Sequence, residues 1–229
     1  MPMYRIMINK DQTKRSAGYI QRLIAQGEHE QQDFKYQITD AKKIAHSIAA
    51  FANNSGGHLL IGVKDNGNIV GVSSDEEIYM VEQAAQMYCK PEQKVKFDVY
   101  RINGKNVVKA DIAEADVKPV TAPDGNNKWR VYYRVGDENI LASDVHARVL
   151  SNLSRRHQDP SPGETLSYSE HEQQLLEYLR DHGALTVEGY MKMARISRLT
   201  AEQSVVGLCS INVLTLHYHD GKMTISLKN

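Results

Sequence analysis

The sequence predicts an α+β fold with a mixed sheet, followed by a small domain of three helices and a β-hairpin. Three observations predict it. Helical and strand-like apolar patterns alternate along the longer first part without a repeated crossover unit. A stretch with two prolines and a glycine, residues 155–167, then interrupts the chain. Beyond it come three short helical patterns and a hairpin signal. At 229 residues, 41% hydrophobic and 24% charged, the chain suffices for a medium domain plus a small one, each with a core.

Within residues 16–26, Tyr19, Ile20, Leu23 and Ile24 recur at helical spacing, and Gly27 stops the helix. Residues 33–37 form a short strand. Thr39 is placed to cap a helix through Ala52, with Ile44, Ile48 and Phe51 along one face. Asn53-Asn54-Ser55-Gly56-Gly57 forces a turn, because glycine and asparagine tolerate positive φ. Residues 58–63 are a continuous apolar strand, which the tight turn Asp65-Asn66-Gly67-Asn68 joins to a strand at 69–72 as a hairpin. Residues 75–89 make a second long helix, and strands 95–100 and 106–112 pair across Asn103-Gly104-Lys105. A strand at 129–134 and a helix at 142–153 complete a first domain, residues 1–154. Residues 155–168 form the linker.

In the second domain, residues 169–229, Ser169 caps a helix to His182, and helices at 187–194 and 200–210 follow. Strands 213–218 and 223–227 flank His219-Asp220-Gly221-Lys222. Three helices and then a hairpin is the order of a winged helix, a variant of helix-turn-helix.

The formal net charge is zero, so any nucleic-acid binding rests on local patches and not on a global field. Cys89 and Cys209 are far apart and outside any C-x-x-C spacing, which fits buried free thiols in a reducing compartment. The amino terminus has no secretory pattern, and no stretch approaches the ~20 apolar residues of a membrane span. These features predict a cytoplasmic protein with no membrane partner.

Asp33 and Lys35 lie two positions apart on a strand and therefore on one face. Glu28 lies just upstream and Asp65 just after the apolar strand. If the strands are neighbours, three carboxylates and a lysine converge, a set of hard oxygen ligands suited to Mg²⁺ or Mn²⁺. Against this stands a surface ion pair of little energetic weight. The amides around Asn53, Gly56 and Gly57 are candidates to cradle a phosphate, although the same glycines would also serve a tight entry into the strand. Candidate nucleic-acid contacts are Lys14, Arg15, Lys35, Lys42, Lys43, Arg130 and Arg134, with Trp129, Tyr132 and Tyr133 as candidate stacking surfaces. His46 and His58 read as packed side chains, because no paired spacing supports a metal site. In the tail only Arg195, Arg198 and Lys222 offer phosphate contacts, and the third helix has no internal basic residue. DNA reading and protein contact both stay open for it.

Glu28, Asp33-Phe34-Lys35, the helix end Ala49-Ala50-Phe51-Ala52-Asn53, the run from Gly56 to Val63 and Gly67-Asn68-Ile69-Val70-Gly71 together resemble the Alba-like (AlbA_2) domain of the Schlafen family. The likeness continues through Lys118-Pro119 and Val131-Tyr132-Tyr133-Arg134-Val135-Gly136. The resemblance implies two functions. Bacterial members are described as DNA-binding or ATP-binding regulators, often with a winged-helix tail. Some eukaryotic members are endoribonucleases acting on transfer RNA through two glutamates and an aspartate, which map onto Glu28, Asp33 and Asp65. Asp33 stands where the family usually has glutamate. No G-x-x-x-x-G-K-[ST] is present to support ATP binding. The leading expectation is a non-enzymatic regulator of transcription that binds DNA or RNA as a homodimer. The alternative is a divalent-metal-dependent endoribonuclease with Glu28, Asp33, Lys35 and Asp65 as its site.

Overall fold

The computed structural model describes residues 10–158, 167–219 and 221–228, with side chains described for 17–155 and from 167 onward within those stretches. The chain divides into two compact units. The first runs to Ala115 and includes Val120–Asn139; the second comprises Asp116–Pro119 and Ile140 onward.

The first unit contains α1 (Lys10–Gln26), β1 (Gln32–Lys35), α2 (Ala41–Asn53), β2 (Gly57–Ile61), α3 (Ser74–Met87), β3 (Val95–Ile102) and β4 (Lys105–Ile112). After these come β5 (Thr121–Pro123) and β6 (Trp129–Val135), and then β7 (Glu138–Leu141), which begins in the first unit and ends in the second. The main sheet has the order β1-β2-β4-β3, with β1 parallel to β2 and the other pairs antiparallel. It is the mixed sheet of the α+β expectation.

Both faces of this sheet are covered. Leu59, Ile61, Val108, Ala110 and Ile112 pack with α2 and α3, whereas Phe34, Leu60, Ile102 and Val107 pack with Ile20 of α1. A strand buried on both faces shows a continuous apolar run instead of alternation, which accounts for His58-Leu59-Leu60-Ile61. A second, three-stranded sheet, β5-β6-β7, sends Ala122 and Tyr132 into the α2 core.

Several expected elements shift. Asp40, not Thr39, caps α2, its side chain accepting from the amides of Lys42 and Lys43. The hairpin expected at 58–63 and 69–72 reduces to one isolated bridge, Val63 to Ile69. The reason is that β1 and β4 already occupy both edges of β2, so no edge is left for a further strand. The chain instead folds back at Gly62, whose carbonyl accepts from the amides of Val70 and Gly71. The tight turn between β3 and β4 is as expected, with Asn103 and Gly104 both at positive φ.

The second unit contains α4 (Asp144–Gln158), α5 (Glu170–His182), β8 (Ala184–Leu185), α6 (Val187–Ala194), α7 (Arg198–Ser210), β9 (Leu214–His219) and β10 (Lys222–Leu227). Its sheet has the order β8-β10-β9, antiparallel throughout. Its core joins Leu175, Leu179, Tyr190, Val205 and Ile225 to Val145 and Val149 of α4. That packing places α4 in this unit, whereas the sequence had put helix 142–153 in the first domain. Residues 159–166 of the expected linker lie outside the described residues. Local signals are strong here: Ser169 and Glu172 form a capping box, and Thr186 and Ser197 cap α6 and α7.

Candidate nucleic-acid interface

The acidic group forms in part. The Lys35 ammonium lies 2.7 Å from the Asp33 carboxylate, as their shared strand face requires. Glu28 accepts from the Phe34 amide at 2.8 Å and bonds the Asp33 carboxyl. Burial, and then the neighbouring Asp33, hold the Glu28 carboxyl above the ordinary range. On its other side Asp33 meets the Arg134 guanidinium at 3.7 Å and the Ser47 hydroxyl at 3.4 Å.

Asp65 does not join this group. Asp33 pairs in register with Leu59 and Lys35 with Ile61, so Asp65 falls past the end of the sheet in an exposed turn. Among the described residues no three His, Cys, Asp or Glu side chains gather where they would hold a metal. The residues do not fit Mg²⁺ or Mn²⁺: the buried carboxylate already faces two cations, and the third carboxylate lies elsewhere.

Arg134, a candidate nucleic-acid contact in the sequence, is 1% exposed. It donates to the carbonyls of His29 and Gln32 and to the Asn139 side chain, and its guanidinium lies 4.9 Å from the centroid of the Phe51 ring. Its charge holds β6 against the β1 end of the sheet and is closed to a ligand.

The glycine turn is likewise built for packing. Asn53 donates to the carbonyls of Val120 and Tyr132 and accepts from the Val120 amide. Asn54 exchanges two bonds with the Arg134 main chain, at 2.9 and 3.0 Å. The Gly56 amide donates to the Phe51 carbonyl, and at φ +72° a Cβ there would lie 2.8 Å from the Ile112 carbonyl oxygen. A Cβ on Gly57 would strike the Phe51 ring. The two asparagines are therefore clamps onto the second sheet, and Asn53 and the Gly56 amide are not phosphate donors.

Several exposed cations lie elsewhere, near the turn between β5 and β6. Lys42 reaches from α2 to the Asn127 side chain at 2.8 Å and lies 5.8 Å from the centroid of the Tyr88 ring. Arg130 is exposed and ion-pairs with Asp124 at 3.4 Å; Lys43 and Lys128 are also exposed. The Lys90 ammonium stands 4.0 Å from the centroid of Trp129, a cation–π contact worth about 0.5–1 kcal/mol at an exposed site. Trp129 is 38% exposed, but Tyr132 is buried and stacks on His46, so of the expected stacking surfaces Trp129 is accessible and Tyr132 is not. The sequence had missed Lys90. It belongs to the loop after α3, far from Trp129 along the chain, and no local pattern connects the two. Lys14 and Arg15 lie in α1, but their side chains are outside those described.

In the second unit the candidate cations stand beside acids or at turns. Arg198 ion-pairs with Glu202 at 2.8 Å and with Glu188 at 3.4 Å. Arg195 ends α6 in the left-handed region, and Lys222 opens β10. Arg198 and Lys222 share the wall of a cavity of about 810 Å³ with Asp144, Glu188 and Glu202. The exposed positions of α7 are Arg198, Leu199, Gln203 and Gly207, of which the last three form one stripe without a charge and Arg198 is ion-paired beside it.

Both cysteines are free and buried, and burial pushes each thiol up to about 12. Among the described residues no helix is long and apolar enough to cross a membrane.

A family model described as Schlafen, AlbA_2 matches residues 28–143. No curated protein matches the chain. Among solved structures it is similar to a protein from Corynebacterium diphtheriae, with 21% identity over 90% of this chain and a TM-score of 0.45. The chain spans 37% of that protein's length. It is also similar to the N-terminal domain of a RecG-related protein from Nitrosomonas europaea, with 20% identity over 56% of this chain and 93% of that one, at a TM-score of 0.40.

Proposed function

We propose that this chain, which belongs to the Schlafen AlbA_2 family through residues 28–143, is a nucleic-acid-binding regulator whose contacts lie around the β5–β6 turn. The observation that carries this reading is an exposed Trp129 with the Lys90 ammonium on its ring, beside a turn that also carries Lys42, bonded to Asn127, and Arg130 on the other face of β6. Cations supply affinity for the phosphate backbone, and an exposed indole supplies a surface for a base. A neutral chain that concentrates charge in this way binds by a local patch.

The order α5, β8, α6, α7, β9, β10 supports reading the tail as a winged helix. Its exposed α7 stripe lacks cations, which favours a role in protein contact, with a second copy as the partner of a homodimeric regulator of transcription. The ribonuclease reading is not favoured, because Asp33 is enclosed by Lys35, Arg134 and Ser47 and Asp65 is apart from it.

The test is binding of labelled DNA and RNA by the full chain over a salt series. Affinity falls steeply with salt, and each of Lys42→Gln, Lys43→Gln and Arg130→Gln that removes a phosphate contact lowers the slope by about one. Failure of the wild-type chain to bind either polymer at low salt would sink the reading.

A further inference from the structure

The exposed cations are joined by a feature that a double helix does not need: a tryptophan held in place at the turn with a lysine on its ring. Lys90 bridges to Thr121, with amide-to-carbonyl bonds of 2.9 and 2.8 Å in the two directions. Trp129 pairs in register with Pro123, two positions further along the same strand. Residues two apart on a strand point to one face, as do residues directly opposite in an antiparallel pair. Backbone pairing thus sets the Lys90 and Trp129 side chains on one side of the second sheet, and the ammonium rests 4.0 Å from the ring centroid. The ring thus has a partner on one face before any ligand arrives, which lowers the side-chain freedom lost on binding.

We infer that Trp129 and Lys90 form a platform for an unpaired base, and that the polymer this chain binds is single-stranded. The inference rests on the nucleic-acid reading and names its substrate class. In a duplex the faces of the bases are covered by their neighbours, so a flat indole at a turn has nothing to stack on. A single strand offers a base face and a phosphate together. Lys90 covers one face of the indole and leaves the other for the base, and Lys42, bonded to Asn127 in the same turn, stands near for an adjoining phosphate. Asn127, already held by Lys42, stands at the turn with an amide able to meet a base edge.

Trp129 is the sole tryptophan of the chain, so its fluorescence reports this site alone. Titration of the full chain with oligodeoxythymidine of about 12 nucleotides, and with a blunt duplex of equal length, separates the alternatives. The single strand quenches the tryptophan and the duplex does not. Trp129→Ala weakens single-strand binding by roughly 5- to 150-fold, the equivalent of losing one stacked base. Trp129→Phe, which keeps an aromatic face, stays within about threefold of wild type by a label on the oligonucleotide. Lys90→Gln lowers the salt slope by about one. Equal binding of both polymers without quenching, or full affinity in Trp129→Ala, overturns the platform and leaves the wider reading intact. Binding of neither polymer overturns both.

Discussion

In the first unit the charged side chains of Asp33, Glu77, Lys109 and Arg134 are buried; in the second the buried polar side chains are His146, Ser154, Ser204 and Ser210. None of the described charged side chains of the second unit is buried, and Arg148 and Arg198 pair with acids at the surface. The first unit must attach a second sheet to the end of its main one, and it does so through side chains that bond main-chain groups. Arg134, Asn53 and Asn54 supply those bonds, and Glu77 similarly accepts from the Ile38 amide. The second unit closes one small apolar core with capped helices, and its comparable tether is neutral: the Ser154 hydroxyl accepts from the Lys118 amide and donates to the Asp116 carbonyl. A charge in the first unit is therefore weak evidence of a ligand until its burial is known. A charge in the second is exposed, and at Arg148 and Arg198 it is compensated by an acid.

The largest expected effect tests that contrast directly. Arg134→Met leaves Asp33 and the carbonyls of His29 and Gln32 without their buried partner and destabilises the first unit by about 3–5 kcal/mol in urea denaturation. Arg198→Met, which removes exposed ion pairs in the second unit, leaves the midpoint unchanged. Equal small effects from the two substitutions would erase the distinction.

A smaller effect concerns acid. Burial depresses His146, which bonds the Tyr218 hydroxyl, to about 4 from an ordinary value of 6.5. A depressed histidine is neutral in the folded chain, so its contribution is complete above about pH 6.5 and is lost as pH falls toward 4. The loss in the second unit is on the order of 3 kcal/mol across that window. His146→Gln removes it, as urea midpoints across the pH range will record. His58 in the first unit is held down similarly, to about 4, so that unit keeps its acid sensitivity in the His146→Gln chain. Uniform loss of acid sensitivity in both units would mean that they do not titrate separately.

The smallest effect lies at Glu28. Its carboxyl is held above the ordinary range, so the contribution of the protonated form is complete below the unfolded value near 4.5 and fades as pH rises through the folded one. Glu28→Gln mimics the protonated group and can keep both the Phe34 and Asp33 bonds. It raises the melting temperature slightly at pH 7 and has no effect at pH 4. A drop at pH 7 would show that the ionised carboxylate is the form the fold prefers.

Much of this fold is legible from local pattern. The helix periods, the Asn103-Gly104 turn and the Ser169 cap depend on neighbours close in sequence, and they stand where those patterns put them. The 69–72 strand failed for a non-local reason: a tight turn between apolar runs does not reveal that β4, arriving later in the chain, takes the free edge of β2. The same limit applies to α4, whose apolar period does not say which core it joins and whose Val145 and Val149 pack in the second.

By itself the sequence determined the family, through the run from Asn53 to Gly71, and the close Asp33–Lys35 pairing, since strand geometry places alternate residues together. It also placed a turn at Asn53–Gly57, while leaving open whether its glycines cradle a phosphate or admit the chain to the strand. Only the tertiary structure decided what those residues are for. Burial turned Arg134 and Asn53 from candidate ligand contacts into clamps, because a polar group removed from water must be satisfied by the groups that enclose it. Strand pairing carried Asp65 away from Asp33 and brought Lys90 onto Trp129, because register between distant segments is written in neither segment alone.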